Sequence, residues 1–378
     1  MAGLFSCLIA VLAACAAPDP GPTSDPSAAT ARVLPWRQGD PTFPPPAGTT
    51  PIVGVQYHGV WDDHTPEKRR VVLDAMAEAG VRYLRMDVAW ADLQPRPGDD
   101  ALGDSPETAE ADERLAEISA RGMKTLLIVH WAPRWSTGTA EKNGVPRDAD
   151  EFGRFAAWAA DRWKQHLIGL ELLNEANTTA FLANTDPATY TRLVTAAYDR
   201  IKAVAPDLTV VAGAPTYVDT DWYAKFFQLG GAGSYDALGV HPYMGRTDAP
   251  PETCDEADLT HYPCNIPHLI DLMAANGDAD KQIWATEYGW SSHDNSGYRE
   301  PVPNWSRGVT QEQQAQYLLR MQSLLSQWPQ VAASFWYTSW DRASGDPQMD
   351  NWGLLSRDLQ RKPAWYAMRC AAGAVCGP

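Results

Sequence analysis

The sequence is short of positive charge and of long apolar runs, and each shortage removes a class of function. Lys and Arg number 31 against 47 Asp and Glu, a formal net charge of −16. A polyanionic partner such as nucleic acid, or an anionic membrane surface, would be repelled. A neutral substrate fits that balance, as does plain solubility. Past the N-terminus no run is apolar enough to span a bilayer. There is no G-x-S-x-G elbow, no H-E-x-x-H pair and no Walker glycine loop, so serine-hydrolase, zinc-protease and nucleotide-driven chemistry lack support. The cluster Gly230-Gly231-Ala232-Gly233 is an isolated turn-like segment rather than a dinucleotide loop. No internal repeat of fixed period stands out.

The cysteines are 6 in number. Cys7 falls in an apolar N-terminal run that ends in Leu12-Ala13-Ala14-Cys15. Small residues before a cysteine resemble a bacterial lipobox, in which the cysteine is lipidated and becomes the mature N-terminus. No Lys or Arg precedes the run, which departs from the usual positive flank of a signal peptide; a plain cleavable signal is the alternative. Residues 1–15 are therefore expected to be a lipoprotein-type signal, and 16–50, rich in Pro, Ser and Thr, a tether that cannot build a core. An extracytoplasmic protein is expected, secreted or held at the cell surface, touching the membrane only through a lipid on Cys15. In an oxidising compartment the pairs Cys254 with Cys264 and Cys370 with Cys376 are expected as two local disulfides. Neither has metal-ligand spacing, and no metal or cofactor is expected.

From residue 51 onward short apolar runs alternate with amphipathic helical stretches, the pattern of βαβ units and a parallel sheet. Candidate strands are 52–57, 81–88, 124–130, 168–173, 208–212, 237–240, 282–286 and 333–337. A helix capped by Thr65, with Pro66 in its first turn, runs to Gly80. Others are expected over 106–121, 148–164, 187–204, 266–276 and 310–327, with a short one over 222–229 and a last one from 362–363. Eight strands with helical connections imply an α/β fold, a single (β/α)8 TIM barrel over 51–378. A monomer is expected.

In such a barrel the active site forms at the C-terminal ends of the strands. Strand four reads IGLELLNEAN over 168–177, bringing Asn174, Glu175 and Asn177 to the rim. Strand seven reads IWATEYGW over 283–290, with Glu287 at the equivalent height. Two carboxylates across a barrel mouth suit glycosidic cleavage, where one protonates the leaving oxygen while the other faces the anomeric carbon. A lone rim acid would as readily be a helix cap or an ion-pair partner. The 16 Trp and 14 Tyr could stack on sugar faces or fill the core.

Asn174-Glu175 after strand four and Glu287 at strand seven resemble the glycoside hydrolases of clan A. The IWATEYGW run and the FWYTSWD ending over 335–341 are similar to members of families 39 and 5. Asn-Glu-Pro is frequent in the family where this chain has Asn-Glu-Ala, which bears on the subfamily. The resemblance implies Glu175 as acid/base, Glu287 as nucleophile and net retention through a covalent glycosyl-enzyme. It implies that Asn174 binds the sugar 2-hydroxyl, that His241 and Tyr243 stand beside the nucleophile, and that Trp336 floors the cleavage subsite. Arg85, near the end of strand two, would hold the nucleophile ionised, or else pair with Asp87 low in the barrel. His130 and Trp131 are expected to contact the sugar on the non-reducing side, with His58 and Trp61 as further candidates. Trp290 and Trp340 could line the outer cleft or pack. Family 39 likeness implies β-xylosides, arabinosides or an exopolysaccharide, and family 5 likeness β-glucans or mannans. Transglycosylation by the same two glutamates, and a barrel that binds carbohydrate without turnover, are the other readings.

Overall fold

The computed structural model describes residues 51–60, 65–98, 101–103, 105–297 and 302–374. The expected signal and tether, with Cys15, and also Trp61 and Cys376, lie outside the described residues.

Eight strands form: β1 (Ile52–Gln56), β2 (Tyr83–Ala89), β3 (Lys124–His130), β4 (Leu167–Leu172), β5 (Thr209–Ala212), β6 (Ala237–Val240), β7 (Gln282–Tyr288) and β8 (Val331–Trp336). Each pairs in parallel with the next, and β8 returns to β1 to close the barrel. All the expected strands are present, with ends displaced by up to two residues. The covering helices are α1 (Pro66–Glu78), α2 (Pro106–Ser119), α3 (Ala149–Trp163), α4 (Pro187–Val204), α5 (Thr220–Gln228), α6 (Ile266–Ala275), α7 (Gln311–Leu325) and α8 (Pro363–Ala371). Their starts follow from local chemistry. Thr65 Oγ1 accepts from Lys68 N at 3.4 Å with Pro66 following, Ser105 Oγ accepts from Thr108 N at 3.2 Å, and Thr310 and Gln313 cap each other reciprocally. Each bond satisfies an amide that the helix itself leaves without a partner.

Strand alternation divides the core in two. One set of side chains packs outward beneath the helices, and the other fills the barrel, where Leu126, Val211, Ala237, Trp284, Ala333 and Phe335 form an apolar plug. Gly54 belongs to that plug by having no side chain, since a Cβ there would stand 2.3 Å from Phe335. Above the plug the same inward parity carries Arg85 and Asp87 on β2, Ile128 and His130 on β3, Glu171 on β4 and Thr286 on β7. The barrel thus changes from apolar to charged within two residues along several strands.

Candidate active site

Arg85 is the centre of the charged layer. Its guanidinium has five N–H donors, and each meets an acceptor. Nε and Nη2 reach Glu171 Oε2 and Oε1 at 2.7 and 3.0 Å, Nη2 reaches Asn174 Oδ1 at 2.6 Å, and Nη1 reaches Gln56 Oε1 at 2.9 Å and Glu287 Oε1. The residue is fully buried, so this complete set of partners is what makes the charge tolerable there. Asp87 is not among them.

Glu287 receives the Arg85 bond on one oxygen and a bond of 2.9 Å from the Tyr243 hydroxyl on the other. Burial alone would raise its pKa. The charges of His241 and Arg85 and the two hydrogen bonds outweigh that and hold the carboxyl below its ordinary value. Glu175 faces it from β4, with Oε1 hydrogen-bonded to His241 Nδ1 at 2.8 Å; the same nitrogen is 3.8 Å from Glu287 Oε2. One ligand atom from each of Glu175, His241 and Glu287 lies within 4.8 Å of the other two. Three such atoms could hold a metal ion, but Arg85 and Tyr243 already donate to both oxygens of Glu287. Carboxylate oxygens this close belong with the roughly 5–5.5 Å carboxyl spacing of retaining glycosidases and not with the roughly 6.5–9.5 Å of inverting ones.

The rim backbone is constrained. Trp131, Leu173 and Glu175 have φ of 53°, 66° and 42°, a region that costs side-chain-bearing residues about 1–2 kcal/mol each. Hydrogen bonds hold them there: Leu173 N to Val129 O at 3.0 Å, Glu175 N to Ala214 O at 2.8 Å, and Ala91 N to Trp131 O at 2.9 Å. The turn needs glycine beside it, because a Cβ on Gly213 would stand 1.9 Å from Leu173 O. This backbone sets Glu175 at the mouth, where it lines one cavity with Glu287.

The cavity containing both glutamates is walled by His58, Asp87, His130, Trp131, Phe181 and Tyr337, with Gln56, Arg85, Asn174 and Tyr243 at its base. The His130 and Trp131 rings stack at 3.9 Å, and Trp131 is near-parallel to Phe181 at 6.2 Å. A second cavity shares Glu175 and Tyr243 and extends past Tyr217 and Met244 to Trp305 and Trp352. The acid at 175 therefore stands between two clefts, and only one of them also holds Glu287.

A family model described as "Cellulase (glycosyl hydrolase family 5)" matches residues 46–337. The chain belongs to that family. The clan A resemblance read from Asn174-Glu175 and Glu287 is thereby borne out for family 5. Among solved structures this family 5 member is similar to a family 39 glycoside hydrolase from the gut symbiont Bacteroides cellulosilyticus WH2, with a TM-score of 0.68 and 21% identity over 86% of this chain and 64% of that one. It is similar to a monomeric β-xylosidase from Caulobacter crescentus CB15, at 0.61 and 17% over 88% and 69% of the two chains. It is also similar to an exo-β-1,4-mannosidase from Opitutaceae bacterium strain TAV5, at 0.60 and 17% over 85% and 59%. Identities this low establish the shared barrel. The chain spans about 64% of the length of the Bacteroides protein it matches. No curated protein is a significant match in sequence.

Of the residues anticipated in this family 5 member, Arg85, His130, Trp131, Asn174, Glu175, His241, Tyr243 and Glu287 meet at one mouth, and His58 joins them. Trp336 does not. Its ring is fully buried, Nε1 donates to Trp352 O at 3.2 Å, and its neighbours are Tyr288 and Trp290. Alternation along β8 decides this: Phe335 points into the barrel, so Trp336 points outward beneath the helices and Tyr337 returns to the cavity. Trp290 and Trp340 are also packed, Trp290 donating to Ala249 O at 2.9 Å and Trp340 lying under Lys68 Nζ at 4.5 Å. The alternative pairing of Arg85 with Asp87 is replaced by Arg85 with Glu171.

Cys254 and Cys264 form a disulfide with Cα atoms 5.8 Å apart. Cys370 is disulfide-bonded as well. Sequence reasoning passed over Glu171, Asp87 as a cavity residue, Gln56, Phe181 and Tyr337. Glu171 had a legible signal, being an acid inside a strand that a parallel barrel buries on both faces.

Proposed function

We propose that the protein is a retaining β-glycosidase. Glu175 donates its proton to the glycosidic oxygen while a Glu287 oxygen attacks the anomeric carbon. The C–O bond to the leaving group breaks and a glycosyl ester forms on Glu287. Glu175, now a carboxylate, takes a proton from water; the water oxygen attacks the same carbon, and Glu287 is released. The observation that carries this is the asymmetry of two acids at close range, within 4.8 Å of each other through their nearest ligand atoms. Glu287 is held as an anion by Arg85 and Tyr243, whereas Glu175 has no cation of that kind and shares a hydrogen bond with the His241 ring. Asn174, fixed by Arg85, offers its amide to the hydroxyl next to the anomeric centre. The names of the neighbouring β-xylosidase and exo-β-1,4-mannosidase support β-linked substrates.

The test is turnover of aryl β-glycosides and β-glucan, xylan and mannan by wild type, Glu175→Gln and Glu287→Gln, with the product anomer followed by NMR. A retained anomer whose formation stops in Glu287→Gln is expected. An inverted anomer would remove Glu287 as nucleophile, and glycan binding without any turnover would remove the enzymatic reading.

The proposal extends to the cell. The lipobox-like Leu12–Cys15 run, the Pro-rich stretch over 16–50 and the Cys254–Cys264 bridge support an extracytoplasmic protein tethered by a lipid on Cys15. Fatty-acid labelling that is lost in Cys15→Ala is the expected result.

A further inference from the structure

Asp87 takes no part in the steps above, yet it lines the same cavity and is buried. Its Oδ1 accepts no hydrogen bond among the described residues, and neither does His130, 4% exposed, use either ring nitrogen in one. Orphaned polar atoms this deep are uncommon, because each forfeits its hydration without compensation. His130 Nε2 stands 3.6 Å from Asp87 Oδ2, and His58 Nδ1 3.5 Å from Oδ1. Those gaps are too long for good direct bonds, and a hydroxyl oxygen at the apex of a triangle over either pair would lie within hydrogen-bond distance of both the nitrogen and the carboxylate. Both imidazoles face the carboxylate, and an ionised carboxyl offers hydrogen-bond acceptors only.

We infer that Asp87 is a specificity-determining residue that accepts hydrogen bonds from two adjacent hydroxyls of a neutral glycone, with His130 donating to one of them. A carboxylate has two oxygens and matches a vicinal diol pairwise. Asp87, one inward step above Arg85 on β2, and His130 on β3 stand three and four strands round the closed barrel from β7, which carries Glu287, and the hydroxyls assigned to them are those remote from the anomeric carbon, at C3 and C4 of a pyranose. A uronate or sulfated sugar is disfavoured. Arg85 is the one guanidinium among the lining residues, with all its donors engaged, and the new anion would face Asp87. The inference rests on the glycosidase reading for the identity of the ligand.

The test compares 4-nitrophenyl β-glucoside, β-xyloside, β-mannoside and β-glucuronide, then the 3-deoxy and 4-deoxy forms of the best substrate, on wild type and Asp87→Asn. Wild type is expected to lose about 10- to 100-fold in kcat/KM for each missing hydroxyl, the usual worth of a hydrogen bond to a charged group. Asp87→Asn is expected to lose a similar factor on the parent glycoside and to discriminate little between parent and deoxy forms. Wild type indifferent to both deoxy substitutions, unchanged discrimination in the variant, or preference for the glucuronide would overturn the inference. The deoxy series on wild type needs no variant, so a misfolded Asp87→Asn does not block the result. If wild type turns over none of these, binding of glucose, xylose and mannose is followed by ligand-observed NMR. Binding lost in Asp87→Asn keeps this inference while the glycosidase reading fails; equal binding by both proteins, or none by wild type, overturns it.

Discussion

Arg85 donates two hydrogen bonds to Glu171, from Nε at 2.7 Å and from Nη2 at 3.0 Å, with both side chains fully buried inside the barrel. The fork fixes the guanidinium plane, leaving Nη1 aimed at Glu287 and Nη2 at Asn174. Thr286 Oγ1 holds Glu171 in turn, at 3.1 Å. The residue that conditions the nucleophile is thus itself set by an acid two strands away.

Replacing Glu171 with Ala strips a buried charge of its main partner, and loss of about 3–5 kcal/mol of unfolding free energy is expected, measured by denaturant titration. Glu171→Gln, which keeps the shape, is expected to fold better and still to lose kcat/KM. Wild-type stability in Glu171→Ala would mean that the pair is only space-filling.

Acid should weaken the fold through Glu287 and Asp87, both held below their ordinary pKa. A carboxylate depressed in the folded state contributes stability above its unfolded value, about 4, and loses that contribution as pH falls through the folded value. Melting temperature is expected to be nearly level from neutral pH to about 5 and to fall below 4, less steeply in Glu287→Gln. The acid limb of kcat/KM should likewise lie below the usual carboxylate range. A fold that gains stability on acidification contradicts both.

The register of β8 separates two neighbours experimentally. Trp336→Ala is expected to cost about 3–5 kcal/mol, as for other large aromatic truncations in a core. Trp336→Phe should lower stability and leave KM unchanged, whereas Tyr337→Leu should raise KM. A changed KM in a fully stable Trp336→Phe would return that ring to the cleft.

Removing the Cys254–Cys264 bridge, with its sequence separation of 10, should cost about 2–3 kcal/mol in the chain-entropy account. The bridged loop follows Met244 and Thr247, which line the second cavity. Cys254→Ser/Cys264→Ser is therefore expected to raise KM for oligosaccharides more than for aryl glycosides, in steady-state kinetics on both.

Short-range patterns were enough for much of the fold. Apolar runs alternating with capped helices specify eight strands and their order, because burial of a parallel strand and hydrogen bonding of a helix start are local demands. The same patterns bring Glu175 and Glu287 to strand ends, and with Asn174 they carried the family resemblance. What each inward side chain meets across the barrel depends on residues far apart in sequence. Arg85 and Glu171 come together only when β2, β3 and β4 are in register, with Arg85 opposite Leu126 and Ile128 opposite Glu171. Trp336 and Tyr337 exchange places on a shift of one residue, and an aromatic run such as FWY hides that parity from composition. The Asp87 pocket likewise exists only once β2 and β3 bring its carboxylate against His130. Strand identity is local chemistry; the partners of a buried charge are set by barrel closure.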